Sequence, residues 1–361
     1  MVVDMSFPAI HPFDLPHLPP AGDFSDRGTM KILLKARTEL GELKGYSSAL
    51  PNPMLLLSPA VLKESVVSSR IENINTTVEN VLQGQLFPEI EQQQPEKEVL
   101  HYREALLWGF EQLKKLPLST RIVLGVQKRL LPDSTGSYRK IQNSIQDVAA
   151  GKVVYTPPPA QNIPGLMGNW ENFIHSEDDV DPLVKCAMAH YQFEAIHPFV
   201  DGNGRTGRIL MVLYLVEQGF LSLPLLYVSG YINRNRSEYY KLLNEVSSSQ
   251  RWKPMVDFLL TALYFQAKET KETLVAAMAL YHEMRKRIRS GFPKVYSGDL
   301  VEALFTYPII SPVSLGKALG IHYTTASRYL TTLASGKVLG EAVVGKYHFF
   351  VNKKLLELLK K

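Results

Sequence analysis

The sequence predicts a mainly α-helical protein with one small β-hairpin and a separate C-terminal winged-helix module. Three observations carry that expectation. Apolar residues recur at 3–4 spacing through most of the chain up to about residue 290. Residues 136–159 break that rhythm with Gly136, Gly151 and valines spaced by polar residues. From about residue 295, three short helical segments precede an alternating stretch. The chain therefore divides into an N-terminal arm and helical region at 1–110, a helical core at 111–290, and a small module at 291–361.

Residues 1–23 are proline-rich and lack helical periodicity, so an extended arm along the body is expected. His11-Pro12-Phe13-Asp14 within them imitates the start of a later motif by chance, since it lacks the glycines and arginines. Residues 27–43 form a helix with Ile32, Leu33, Ala36 and Leu40 on one face. Pro51 and Pro53 interrupt, and a second helix covers 58–73, with Ser58-Pro59 as cap and first turn. Helices over 96–115 and 119–130 are punctuated by Pro117 and Pro132. Ile141, Val148, Val153, Val154 and Tyr155 belong to a loop and hairpin ended by Pro157-Pro158-Pro159. Helices return over 165–176 and 181–196, where Leu183, Ala187, His190, Tyr191 and Glu194 follow a 3–4 spacing. Further helices cover 203–218, 236–247 and 252–288. In the tail, helices at 298–305, 314–320 and from about 323 to 334 precede a wing at 341–351, with the third helix in the recognition position.

Bulk properties narrow the function classes. The 361 residues are 45% hydrophobic and 21% charged, enough for a substantial core in two or three domains. A lone cysteine, Cys186, rules out a disulfide scaffold and suits a reducing, cytoplasmic compartment. It reads as a buried small hydrophobe in a helix. No signal peptide is evident, and no apolar run is long enough for a membrane span. The formal net charge is +5, yet residues 285–361 hold thirteen Lys or Arg against four Asp or Glu. That basic tail makes DNA or an acidic protein a candidate partner for residues 291–361.

The chemistry concentrates in His197-Pro198-Phe199-Val200-Asp201-Gly202-Asn203-Gly204-Arg205-Thr206-Gly207-Arg208. Gly202 and Gly204 let backbone amides turn toward an anion. A helix starting near Asn203 adds free amides and its dipole to the same place. Arg205 and Arg208, three apart, share one helical edge and offer forks suited to phosphate oxygens. Asp201 suits a hard divalent cation beside phosphates, and His197 can take a proton from a hydroxyl. These parts describe phosphoryl or nucleotidyl transfer without a covalent enzyme intermediate. No Gly-rich loop ends in Gly-Lys-Ser/Thr, which excludes a P-loop NTPase, and the kinase loop motifs are absent.

This run resembles the signature of the Fic domain family, His-Pro-Phe-x-(Asp/Glu)-Gly-Asn-Gly-Arg-x-x-Arg, at every fixed position. The resemblance implies a Fic-like helical core and a protein adenylyltransferase that moves AMP from ATP to a Ser, Thr or Tyr hydroxyl of a target protein, or of itself. On that basis His197 is the general base and Asp201 the Mg²⁺ ligand. Gly202, Asn203 and Gly204 form the nest for the α- and β-phosphates. Arg205 is the phosphate-binding arginine, and Arg208 contacts the γ-phosphate. Gly136-x-Tyr138-Arg139-x-x-Gln142-Asn143 resembles the segment before the family's flap, which would be the hairpin around Asp147 to Tyr155 and would clamp an extended target by main-chain pairing. The segment with Tyr227, Ser229, Tyr231, Ile232, Asn235, Arg236, Tyr239 and Tyr240 resembles the part that closes over the adenosine, with Tyr231 and Asn235 as the preferred contacts.

Ser68-Ser69-Arg70-Ile71-Glu72-Asn73 matches Ser/Thr-x-x-x-Glu-Gly/Asn, the pattern of the family's inhibitory helix, placed here near 60–75. The resemblance implies that Glu72 occupies Arg208 and that Ser68 steadies the helix. Rival functions on the same core are AMP removal, with Glu72 helping to activate water, and transfer of phosphate, UMP or phosphocholine. A DNA-binding regulator with a nucleotide-sensing core is the alternative of a different class. The tail either chooses the target or pairs two subunits, and the expected assembly is a homodimer.

Overall fold

The computed structural model describes residues 9–48, 54–86, 93–147, 151–344 and 347–360. Pro51 and Pro53, Val148, Gly345, Lys346 and the first eight residues of the arm lie outside them. In chain order come α1 (Arg27–Ser48), α2 (Met54–Ile71), α3 (Val78–Gly84), α4 (Gln94–Leu113) and α5 (Thr120–Leu130). The hairpin β1 (Ile145–Asp147) and β2 (Lys152–Tyr155) follows, then α6 (Ile163–Ile174), α7 (Pro182–Ile196) and α8 (Asn203–Glu217). Next are α9 (Val228–Arg234), α10 (Arg236–Ser249), α11 (Trp252–Gly291) and α12 (Gly298–Thr306). The chain closes with β3 (Ile309–Ile310), α13 (Pro312–Leu319), α14 (Tyr323–Ser335), β4 (Gly340–Val344), β5 (Tyr347–Val351) and α15 (Lys353–Lys360). The mainly α architecture with small β elements is as the sequence predicts.

Two compact units are formed. The first comprises Met1–Gly41, His101–Pro224 and Val228–Ala267. Its centre is α7, opened by the Asp181 carboxylate accepting from the Leu183 N–H at 2.8 Å, with Pro182 at the first helical position. Nearly every residue of α7 is buried, the polar Lys185, His190 and Gln192 among them, so the helix is enclosed on all sides. It packs between α6 and α8. Trp170 of α6 donates its indole N–H to Ala189 O at 2.9 Å. Gly207 permits the close approach of α8, since a Cβ there would lie 3.1 Å from Phe193 and closer still to the Glu194 carboxylate. The arm runs without regular structure along this unit. Leu15 and Leu18 are buried, Asn169 exchanges both amide bonds with the Leu18 backbone, and Gln192 donates to Pro16 O.

The second unit comprises Glu42–Leu100, Leu225–Tyr227 and Lys268–Lys361. Here α12 and α15 pack on α2. The buried Lys63 ammonium lies 3.7 Å from Glu269 and over the Tyr227 ring. In the tail α13 packs on α14, and an antiparallel sheet orders its strands β3-β5-β4. Gly316 is required at the tight α13–α14 turn, because a Cβ would sit 2.9 Å from Ile321 O.

Some local expectations change. α2 starts at Met54 and takes Pro59 inside it, so Ser58-Pro59 is no cap. The apolar run Met54 to Leu57 carries the helix one turn further upstream, and the proline forgoes a single helical bond. Helices α3, α9 and α15 were not expected as separate elements. Cys186 is buried as predicted, and burial pushes its thiol up to about 12. Among the described residues no helix is long and apolar enough to cross a membrane.

Candidate functional site

The loop from His197 to Gly202 joins α7 to α8, and backbone geometry fixes it before any ligand is considered. His197 ends α7 in the left-handed region at φ 47°, its N–H bonded to Phe193 O. That turn swings the half-buried imidazole out of the helical path. The Asn203 amide then clamps the loop. Its Oδ1 accepts from the Phe199 N–H at 2.8 Å, and its Nδ2 donates to Phe199 O at 2.9 Å. Phe199 is buried between Tyr138 and Phe193. From α5, Gln127 donates to Asp201 O at 2.8 Å.

Gly202 sits at φ 78°, where another residue carries about 1–2 kcal/mol of strain. A Cβ there would also approach Leu131 to 3.1 Å. This turn aims the first amides of α8, at Asn203 and Gly204, out of the helix end, where no intrahelical carbonyl awaits them. The Arg205 and Arg208 side chains are almost wholly buried, at 2% and 1% exposure. Guanidiniums held this rigidly in the first two turns of a helix offer fixed forks that suit phosphate oxygens. Asp201, by contrast, leaves its carboxylate 71% exposed, 3.6 Å from Arg205, with Oδ1 accepting from the Gly202 N–H. One outward carboxylate beside an anion nest fits Mg²⁺, which takes few protein ligands and keeps its waters and phosphate oxygens. No group of three or more metal-ligating side chains occurs among the described residues.

The hairpin is tied to the same loop. The Tyr155 phenol donates to Ala195 O at 2.8 Å, and burial holds it protonated. Arg139, 3% exposed, places Nε on His197 O at 3.0 Å, Nη1 on Ile141 O at 3.1 Å and Nη2 on Pro158 O at 2.5 Å. Its own N–H bonds Pro198 O at 2.8 Å. Burial lowers its pKa from the ordinary arginine value. Hydrogen bonds to a charged group contribute about 1.5–3 kcal/mol each, so this residue holds the region firmly. The sequence displays Arg139 in its motif without its role. His190, about two turns upstream of His197, bonds the Tyr239 hydroxyl at 2.8 Å. Burial first, then the Arg208 charge, pushes His190 down to about 3, so a neutral imidazole faces that arginine.

The other predicted residues have surroundings of their own. Tyr231 on α9 stacks on Phe265 with ring centroids 5.7 Å apart and meets Phe258 edge-on. The Asn235 amide donates back to Tyr231 O at 2.9 Å. In the second unit, Ser68 is buried in the last turn of α2 and Glu72 is half-buried just beyond it. The helix end is a Schellman motif: Asn73 N–H bonds Arg70 O, Ile74 N–H bonds Ser69 O, and Asn73 takes φ 63°. The pattern's final Gly or Asn is thereby explained, because those residues tolerate the left-handed region.

Comparisons place this geometry among known proteins. Residues 117–215 match the Fic/DOC family and 30–111 the Fic/DOC family N-terminal model. Residues 280–355 match the model described as protein adenylyltransferase SoFic-like, C-terminal domain. The probable protein adenylyltransferase aq_aa38 of Aquifex aeolicus is 40% identical over 91 residues, 25% of this chain and 26% of that protein. Protein adenylyltransferase Fic of Nematostella vectensis is 26% identical over 211 residues, 54% of this chain and 45% of that one. The chain thus spans less than half the length of these relatives. A Fic family protein from Desulfovibrio desulfuricans G20 superposes with TM-score 0.58 at 23% identity, covering 92% of this chain and 98% of that one. Fic-1 (aa134–508) from C. elegans gives TM-score 0.53 at 20% identity, covering 70% and 74%. At those identities the superpositions show a shared fold. The family-model matches add homology to Fic/DOC-family protein adenylyltransferases.

Proposed function

We propose, from this homology and from the loop's geometry, that the chain is a protein adenylyltransferase that moves AMP from ATP to a Ser, Thr or Tyr hydroxyl. The carrying observation is the pre-shaped loop: a left-handed His197, an outward Asp201, and an anion nest opening a helix with two buried arginines. His197 takes the hydroxyl proton, and that oxygen attacks the α-phosphorus in line as pyrophosphate leaves. Amides at Asn203 and Gly204, turned outward by Gly202, hold the transferring phosphate with Arg205, and Arg208 holds the γ-phosphate. Mg²⁺ on Asp201 would offset charge between the phosphates. Tyr231 and Asn235 contact the adenosine. The target arrives as an extended strand on the hairpin.

Residues 1–110 carry the regulation in this proposal, 111–290 the catalysis and 291–361 a partner surface. Glu72 meets Arg208 in the resting enzyme and displaces the γ-phosphate, with Ser68 bracing α2. Incubation with Mg²⁺ and ATP labelled at the α-phosphorus is expected to label the chain itself and proteins of a cell extract. Label from the γ-position instead would establish phosphoryl transfer, and release of AMP from a modified protein would establish the reverse activity. A homodimer in the cytoplasm completes the reading, and light scattering on the eluted protein tests the dimer.

A second reading adds DNA. The acid-free stretch between Glu302 and Glu341 supports it, carrying exposed Lys317, Arg328 and Lys337. On α14, Tyr323, Thr324, Arg328 and Thr331 share the outer face. Such a helix, followed by the β4–β5 hairpin, suits a winged helix in the major groove. Duplex DNA is expected to bind with a log–log salt slope of about −2.7 for three phosphate contacts. Arg328→Ala should flatten that slope by about 0.9 while transfer continues. Salt-independent binding, or none, removes this reading.

A further inference from the structure

We propose that Arg139 is a positioning residue that locks the flap and His197 into one register. The inference rests on the transferase reading above. A single guanidinium reaches three carbonyls that the chain keeps far apart: His197 at the catalytic turn, Ile141 before β1 and Pro158 after β2. The residue's own N–H adds Pro198. One planar fork therefore spans the entry and exit of the hairpin and the end of α7. Lysine, a point charge on a flexible stem, has no such fixed geometry. Tyr155 repeats the tie by bonding Ala195 O, two residues before His197. Gln142 closes the hairpin's neck on Pro157 O at 2.9 Å.

In-line transfer needs the target hydroxyl, carried by the hairpin, to sit against the imidazole that deprotonates it. Those two groups belong to different segments, and Arg139 joins the segments. Its hydrogen bonds reach no residue of the anion nest at 202–208. Its loss should therefore separate chemistry from nucleotide binding, which a scaffold residue would not do.

The test compares Arg139→Met and Arg139→Lys in the 361-residue Glu72→Gly chain. Self-labelling from α-labelled ATP, calorimetric ATP binding and amide exchange are measured on each. Arg139→Met is expected to slow transfer about 100-fold, the scale of a misplacement of about 1 Å. ATP should still bind at the parental stoichiometry, with affinity within about twofold. Amides of β1 and β2 should exchange faster while those of α8 do not change, and Arg139→Lys should fall between. Parental rates in Arg139→Met overturn the proposal. So does a loss of ATP binding with faster exchange throughout, which marks a scaffold role. If the parent transfers no label, the transferase reading fails, and exchange confined to β1 and β2 still decides whether Arg139 makes the tie.

Discussion

Replacing His197 with alanine is expected to abolish adenylyl transfer while leaving ATP bound. The two halves of that outcome follow from separate parts of the loop. The imidazole leaves the end of α7 at a left-handed residue whose N–H and C=O are both engaged, by Phe193 and Arg139. The anion nest is built on the other side of Gly202, from the first turn of α8 and the Asn203 clamp. Alanine removes the base and leaves the nest's supports in place. A positioned general base contributes about 10²–10⁴-fold, or about 3–5 kcal/mol of barrier. Single-turnover transfer from α-labelled ATP, with calorimetric ATP affinity alongside, measures both. Transfer near the wild-type rate would refute the base assignment. Joint loss of ATP binding would make His197 part of the nucleotide site instead.

Glu72→Gly should raise transfer and self-modification by at least about tenfold, which corresponds to 1.4 kcal/mol. Glu72 is the C-cap of α2, and the left-handed turn that follows belongs to Asn73. Glycine at the cap leaves that turn intact. A carboxylate at a helix C-terminus is also unfavourable by about 0.3–1 kcal/mol through the helix dipole. Because the variant would also leave the buried Arg208 without that carboxylate, activation is expected together with a lowered melting temperature. Glu72→Asp, which keeps the charge on a shorter stem, should activate less. Equal labelling by wild type and Glu72→Gly would sink the autoinhibition.

The helix start and tight turn of the candidate site are legible in the sequence because twelve consecutive residues hold them, and local rules of turn and helix start suffice to arrange them. What escapes is chemistry that acts through main-chain atoms. Arg139 serves carbonyls 58 and 19 positions away, so no spacing rule finds it. Gln127, 74 positions from Asp201, escapes for the same reason. His190 shows its helical face but not its neutrality, which depends on burial beside Arg208. Among the elements, α3 had a readable start: the Thr77 hydroxyl accepts from the Asn80 N–H at 3.1 Å. α15 had readable spacing, since Leu355, Leu356 and Leu359 are its buried face. The Ser58-Pro59 pair misled because proline at a first turn and proline one turn inside a helix look alike when the upstream residues are apolar.

The Asn203 clamp bears on chemical ageing. An asparagine followed by glycine is the dipeptide most prone to deamidation, through attack of the glycine nitrogen on the side-chain amide carbon. Here both ends of that amide are held by Phe199, and Gly204 is already inside α8. The attack needs the side chain to turn toward its own successor, and the clamp opposes that rotation. A carboxylate at residue 203 would put a negative charge in the nest and exchange a donor for a second acceptor against Phe199 O. The bonds that shape the loop therefore also preserve its charge as the protein ages.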